Sequence, residues 1–290
     1  MSNRIWRKLA EPRIWKRLYV ERLGEPLLYN IASVFVMAFG STRQKIEYDC
    51  IPRNPYAYCI LAAADHAKSY GIKRIAIMEF GVAAGGGLLN MCWIAERVTR
   101  ETGIEIDVIG FDSGEGMPPP NDYRDHPEKY FTGDFPPIDK GKLIAALPKN
   151  ARIYYGPIEQ TLKQAEAEVT STVGFIAIDV DYYWSTKQSL DVLAWSPDRY
   201  LPSVPMYFDD VYNLDHNDYC GELLAIAEFN KANEFRKIAP MNFLSKWRIF
   251  KNAIWHNCVY YAHVFDHKFR SLPYVEAHRT KSAVLTNPYL

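Results

Sequence analysis

The sequence predicts an α/β protein with a doubly wound, mostly parallel seven-stranded sheet and an N-terminal helical extension. From residue 55 onward, short apolar runs alternate with segments of helical apolar spacing, which indicates parallel strands covered on both faces. Polar residues and glycines directly follow these runs, where parallel strands share one edge. We divide the 290 residues into an extension over 1–45 and a main domain over 46–290.

The elements of the main domain follow in a regular order. A first helix begins at Pro55 in its first turn and ends at Gly71. Ser185 to Gln188 has capping-box spacing and predicts the start of a helix containing Leu190 and Leu193. A further helix is expected at about 221–233. The seven strand-like runs are "RIAIMEFG", "IDVIGFD", "ARIYYG", "GFIAID", "VPMYFDD", "FRKIAPMNF" and "CVYYAHVFDH".

One connection is much longer than the others. Between the second and third strands lie about thirty residues rich in Pro, Gly and Asp, whereas such connections usually have about two to six. We interpret this segment as a lid or a substrate-binding loop.

Composition limits the classes of partner. Lys plus Arg and Asp plus Glu number 34 each, so no overall field attracts nucleic acid, and we expect a small-molecule partner. The five cysteines are odd in number and widely spaced, which argues against a disulfide framework and a zinc site. A cytoplasmic location fits this pattern.

The N-terminal extension is basic and then apolar. The segment up to Gly24 is much richer in Arg and Lys than in Glu, and it lacks the apolar core of a secretory signal. The following "LLYNIASVFVMAFG" is shorter than the roughly 20 residues that span a bilayer. We expect a lid or a dimer arm in a homo-oligomer, with contact to a membrane surface as the less favoured alternative.

A glycine-rich turn follows the first strand in "EFGVAAGGG". Glycines there let the backbone approach a ligand closely before the next helix. The spacing differs from the G-x-G-x-x-G pattern, which disfavours a nicotinamide cofactor. Glu79 suits a cationic ligand such as the methionine portion of S-adenosylmethionine. Asp112 ends the second strand, from which a carboxylate accepts hydrogen bonds from ribose hydroxyls.

Four aspartates follow the fourth and fifth strands. Asp179 and Asp181 come after "FIAI", and Asp209 and Asp210 come after "MYF". Adjacent strands are only about 4.8 Å apart, so these carboxylates are expected to crowd one volume. A divalent cation relieves such repulsion, and we predict Mg²⁺, with Mn²⁺ or Ca²⁺ as alternatives.

These motifs carry a family resemblance over roughly residues 50–235. The segments "EFGVAAGGG", "GFDSGEGMP", "YYGPIEQTL", "IDVDYYWST" and "YFDDV" resemble the macrocin O-methyltransferase family. The resemblance implies a class I methyltransferase, Rossmann-like fold that uses S-adenosylmethionine and Mg²⁺ to methylate sugar hydroxyls in natural products. It also implies cofactor contacts in the turn from Gly156 to Glu159. The candidate cofactor-binding residues are Glu79, Gly81, Gly85, Asp112, Ser113, Gly156, Ile158, Glu159 and Asp179.

The reaction requires a base and a dry pocket. A cation chelating two adjacent hydroxyls would lower their pKa, and the base could be the metal-site Asp179, His126 or His216. Two other functions stay open, a non-catalytic module that binds S-adenosylmethionine and a nicotinamide-dependent oxidoreductase. Aromatic side chains that could wall the acceptor pocket are Tyr123, Tyr130, Phe131, Tyr182 and Tyr212.

Overall fold

A computed structural model describes residues 19–136, 139–212 and 217–278. Its centre is a seven-stranded sheet in the order β3-β2-β1-β4-β5-β7-β6. All strands run parallel except β7, which pairs antiparallel with β5 and β6. The predicted mostly parallel, seven-stranded sheet is therefore confirmed. The strands are β1 Arg74–Phe80, β2 Glu105–Asp112, β3 Ala151–Tyr155, β4 Thr172–Ile178, β5 Ser203–Phe208, β6 Arg236–Pro240 and β7 Val259–Val264.

Helices cover the sheet in two groups, as expected of a doubly wound fold. The helices are α1 Leu27–Phe39, α2 Thr42–Glu47, α3 Asn54–Ser69, α4 Gly86–Thr102, α5 Lys140–Ala146, α6 Ile158–Glu168, α7 Tyr183–Leu190, α8 Gly221–Ala232, α9 Leu244–Trp247 and α10 Leu272–His278. Helices α3 and α4 pack on each other, while α7 packs against α6 and α8. The two central strands are buried along almost their whole length because both faces are covered.

The order of the strands creates a switch point in the middle of the sheet. Strands β1 and β4 are neighbours although two strands separate them in the chain, because the chain first builds outward to β3 and then returns. Phe80 lies opposite Ile178, and on the other side of β4 Ile178 lies opposite Phe208. In open α/β sheets, ligands bind at the carboxyl ends of strands beside such a reversal.

The predicted capping box at Ser185 is wrong. Helix α7 already begins at Tyr183, so Ser185 lies inside its first turn. The hydroxyl of Thr186 donates to the carbonyl of Tyr182, and Ser189 donates to Ser185, so these side chains bond carbonyls one turn back. Leu193 belongs to a 3-10 turn that follows α7. A capping box does occur at the start of α2, between Ser41 and Gln44.

The described part of the N-terminal extension consists of a π-helical turn at Tyr19–Leu23, then α1 and α2. The predicted boundary at residue 45 falls within α2, whose Ile46 is buried in the core. Among the described residues, every helix is too short or too polar to cross a membrane. The five cysteines are free thiols.

Candidate active site

The ends of β1 and β4 close tightly on each other at the switch point. The amide of Asp179 donates to the carbonyl of Phe80 over 2.9 Å, and the amide of Gly81 donates to Phe111 over 3.0 Å. Gly81 has φ +88°, and a Cβ there would lie 1.8 Å from the carbonyl oxygen of Asp179. Only glycine allows the two strands to lie this close, which brings the glycine turn beside the aspartates.

Glu79 is buried beneath the start of α4. Its side chain is 1% exposed, and a Cβ on Gly87 would lie 1.8 Å from its Oε1. The hydroxyl of Tyr56 donates to Oε1 over 2.9 Å, while Oε2 is buried without a hydrogen-bond partner among the described residues. Burial raises the pKa of Glu79 to about 7. The arrangement leaves one carboxylate oxygen available to a cationic group.

Asp112 fastens the glycine turn to the end of β2. Its Oδ2 accepts hydrogen bonds from the amides of Val82 and Ala83 at 3.0 and 2.8 Å, and its Oδ1 accepts from Gly114 at 2.6 Å. Ala83 has φ +46°, an unusual value for a residue with a side chain, so this conformation needs such support. A carboxylate has about four acceptor positions. Asp112 thus shapes the glycine turn of residues 81–87, which we call the glycine cradle. It also keeps acceptor capacity for ribose hydroxyls.

The four predicted aspartates meet at the ends of β4 and β5. Burial, followed by the charges of Asp209, Glu79 and Asp210, raises the pKa of Asp179 well above its usual value. Burial and a hydrogen bond with Asp210 raise the pKa of Asp181 to about 8. Burial, reinforced by the neighbouring carboxylates, therefore favours protonation of Asp179 and Asp181 when no cation lies beside them.

The long loop is held against this acidic cluster. The hydroxyl of Tyr130 donates to Oδ2 of Asp210 over 3.0 Å, and Nζ of Lys129 lies 3.6 Å from Oδ1 of the same residue. Asp125 is buried and accepts from the amide of Trp184 over 3.1 Å. The hydroxyl of Tyr182 donates to the carbonyl of Pro118. These bonds fix the loop over the cluster.

Two of the predicted wall aromatics lie together under that loop. Tyr130 and Tyr182 are buried and pack edge to face with ring centroids 6.0 Å apart. The other three are exposed, namely Tyr123, Phe131 and Tyr212.

The remaining predicted site residues occupy varied positions. The amide of Gly156 donates to the carbonyl of Asp112, and the hydroxyl of Ser113 donates to Gly116. Ile158 packs against the core, whereas Glu159 is exposed and pairs with Lys163 over 3.0 Å. His126 is buried in the long loop with Nδ1 3.1 Å from Oε1 of Glu128, and His216 lies outside the described residues.

Two charged residues of the site were missed by the sequence analysis. Glu222, at the start of α8, is fully buried, and its Oε2 accepts from the amide of Asp210 over 2.9 Å. Its Oε1 is buried without a partner among the described residues. Arg53 precedes α3 in a left-handed conformation, and its charge acts on both Glu79 and Asp179. Glu222 follows the Asp209–Asp210 pair closely enough to be sought, but no sequence signal indicates Arg53.

The donor set suits a hard divalent cation chemically, although its present geometry is not that of a metal site. Within the described ranges, no three His, Cys, Asp or Glu side chains are arranged to hold an ion. The hydroxyl of Tyr207 instead engages Asp209, and Asp181 shares a hydrogen bond with Asp210. The carboxylates repel one another, and beside them lies Oε1 of Glu222, which has no partner among the described residues. Mg²⁺ or Ca²⁺ bound there would neutralise this negative charge.

Comparisons with known proteins show likeness in fold only. No family model and no curated protein matches the chain. Among solved structures, the calicheamicin methyltransferase CalS11 is 20% identical with a TM-score of 0.45, covering 59% of this chain and 70% of its own. The O-methyltransferase NovP is 18% identical with a TM-score of 0.46, covering 62% and 74%. An O-methyltransferase from Bacillus cereus in complex with SAH is 13% identical with a TM-score of 0.41, covering 86% and 96%.

At these scores, the likeness extends to the fold and not to the function. The mostly parallel seven-stranded sheet covered by helices is the architecture predicted from the sequence, and its switch point lies at the edge where the glycine turn and the aspartates meet.

Proposed function

We propose that this chain is an S-adenosylmethionine-dependent, divalent-metal-dependent O-methyltransferase that methylates a hydroxyl of a sugar or another vicinal diol. The macrocin O-methyltransferases are the family it resembles in its motifs. One observation carries the proposal: a buried carboxylate beneath a glycine cradle lies one strand away from four clustered aspartates. The five free thiols support a cytoplasmic location.

The cradle suits the two charges of an amino acid. The methionine portion of S-adenosylmethionine carries an ammonium and a carboxylate, and Glu79 and Arg53 offer the complementary pair in one place. Glu79 would hold the ammonium through Oε2, which has no hydrogen-bond partner in the described part of the chain. Arg53 would hold the carboxylate, since its guanidinium lies 5.3 Å from the ring centroid of Tyr56, the residue that donates to Glu79. Asp112 would accept from the ribose.

The acidic cluster suits proton removal from a poorly acidic hydroxyl. A divalent cation bound there would lower the pKa of a chelated diol and orient it, an effect of several kcal/mol. Asp179 is the base best placed for this step, because its residue lies between the glycine turn and the acidic cluster. The loop carrying Tyr130, packed on Tyr182, would keep water out of the pocket.

Binding and turnover assays separate this proposal from its alternatives. Titration calorimetry with S-adenosylmethionine, SAH and NADH should show binding of the first two alone, and NADH binding would instead indicate an oxidoreductase. Methyl transfer to a panel of glycosides should stop with EDTA and return with Mg²⁺. Binding without transfer to any diol would indicate a non-catalytic module, and transfer indifferent to EDTA would remove the metal from the proposal.

We expect the affinity for SAH to depend on pH through Glu79. The carboxyl must lose its proton to hold an ammonium, and its pKa is raised to about 7, so affinity should rise by about tenfold per pH unit below that value and level off above it. The raised pKa also means that the unliganded fold loses stability as the pH rises from 4.5 to about 7.

Calorimetry from pH 5.5 to 8.5 checks this expectation. Glu79→Gln should bind SAH weakly and with a flat profile, whereas Glu105→Gln, at the exposed start of β2, should keep the slope. A slope retained in Glu79→Gln would assign the titration to another group.

A further inference from the structure

Helix α1 exposes an apolar surface that the rest of the described chain leaves uncovered. It has 13 residues, none of them charged and none of them buried. At about 100° per residue, its large exposed side chains spread over more than half of the circumference. They are Leu27, Leu28, Tyr29, Ile31, Val34, Phe35, Met37 and Phe39.

Such a distribution fits a surrounding apolar medium better than a single protein partner. A helix that packs on a protein surface presents an apolar stripe about 100° wide, with polar residues elsewhere. A second copy docked on one side of α1 would leave much of the remaining apolar surface in water. Phe39, which is 85% exposed at the end of the helix, would stay in water if the second copy docked on the opposite face of α1.

A second exposed aromatic group stands on the segment that holds the start of α1. The amide of Asn252 donates to Glu25 over 2.8 Å, and the guanidinium of Arg22 lies 4.0 Å from the ring of Phe250. On the same segment, Trp247 is 78% exposed and Lys246 is exposed beside it. Tryptophan and lysine together are typical of the boundary between water and lipid headgroups.

The charge of the chain next to α1 selects the kind of lipid. Residues 1–18 contain six Arg and Lys and one Glu, and they join the described structure at Tyr19. Two copies of this segment would repel each other in a dimer built on α1. An anionic bilayer surface attracts them.

We propose that α1 docks on the surface of an anionic phospholipid bilayer, with Trp247 at the headgroups. A 13-residue helix is about 20 Å long, shorter than the hydrocarbon core of about 30 Å, so it does not cross the bilayer. It lies parallel to the surface at the boundary between headgroups and acyl chains, deep enough for lipid to surround most of its circumference. This docking is independent of the proposed methyltransferase activity. It would hold the enzyme where acceptors carried on lipids are concentrated.

Sedimentation of the full chain with vesicles tests the docking. We expect most of the protein to sediment with phosphatidylcholine vesicles in which one lipid in three is phosphatidylglycerol. Little should sediment with pure phosphatidylcholine, or with the anionic vesicles when high salt screens the charges. Replacing Val34 and Phe35 together by glutamate should weaken binding at least tenfold. The matched control, Leu272→Glu with Val275→Glu on α10, places charges at two other exposed apolar positions and should bind as the parent does.

Folding and self-association are measured on the same samples. Unchanged thermal unfolding and SAH binding would show that the glutamate variant is folded. If it is not folded, the milder Phe35→Ala serves instead, and it should weaken vesicle binding severalfold. Equal sedimentation with neutral and anionic vesicles, or full binding by a folded glutamate variant, would overturn the proposal. So would a parent dimer in sedimentation equilibrium that Phe35→Ala dissociates, since a second copy would then be the occupant.

Discussion

Replacing Asp209 by asparagine is expected to weaken divalent-cation binding while leaving the cofactor site intact. Among the four aspartates, Asp209 is the one exposed to solvent, held by the hydroxyl of Tyr207 and away from the glycine cradle. Loss of one anionic oxygen ligand should lower Mn²⁺ affinity at least about tenfold. Loss of several kcal/mol of metal assistance would lower methyl transfer by about 10²- to 10³-fold.

Electron paramagnetic resonance of Mn²⁺ measures cation binding, and calorimetry with SAH measures cofactor binding. Neither measurement needs a methyl acceptor. Affinity for SAH should stay within about twofold, because no bond of the cradle is lost. The melting temperature should hold or rise, since one of the charges that repel Asp179 is gone. Asp198→Asn, at an exposed ion pair with Lys268, is the matched control and should change neither affinity. Loss of SAH binding in Asp209→Asn would assign this residue to the cofactor site and not to the metal site.

The sequence predicted the sheet well because the pattern of each strand is local. Runs such as "RIAIMEF" and "TVGFIAI" are short and apolar and end where polar residues begin, and both are strands in the structure. The convergence of Asp179 with Asp209 follows from those same ends, because neighbouring parallel strands finish at one edge. Neither inference needs knowledge of the loops.

The parts that sequence reasoning missed depend on contacts between distant segments. Arg53 precedes α3, whereas Glu79 is the last residue but one of β1. Tyr130 lies in the long loop, far from Asp210 in the chain, and no local periodicity links the members of either pair. Asp112, which is expected to serve a ribose, also accepts from the amides of the glycine turn after β1, a contact that the sequence analysis did not predict. The Ser-Thr pair in α7 failed as a cap because its hydroxyls lie inside the helix, where that of Thr186 bonds a carbonyl one turn back.

The cradle and the acidic cluster share one structural element, the contact between Gly81 and Asp179. The carbonyl of Asp179 sits where the side chain of residue 81 would be, so the distance between the two ligand sites is set by the absence of a Cβ. In-line methyl transfer requires donor and acceptor to be held about 3–3.5 Å apart, so under the proposed function this close contact would be a condition for catalysis as well as for folding.

Gly81→Ala is therefore expected to disrupt binding and stability together. The new methyl group would clash with backbone, and alanine is strained at φ +88°, which together should cost about 2–5 kcal/mol. The melting temperature should fall by roughly 5–15 °C, and SAH affinity should fall at least about tenfold as the strand ends separate. Gly103→Ala is a close control, since Gly103 has φ +80° with nothing within 4 Å of an added Cβ. The Gly103→Ala variant has the conformational strain without the clash. Its free energy of unfolding should fall by about 1 kcal/mol, with SAH affinity unchanged. If the two variants behaved alike in both measurements, the contact with Asp179 would have no part in placing the cofactor beside the acids.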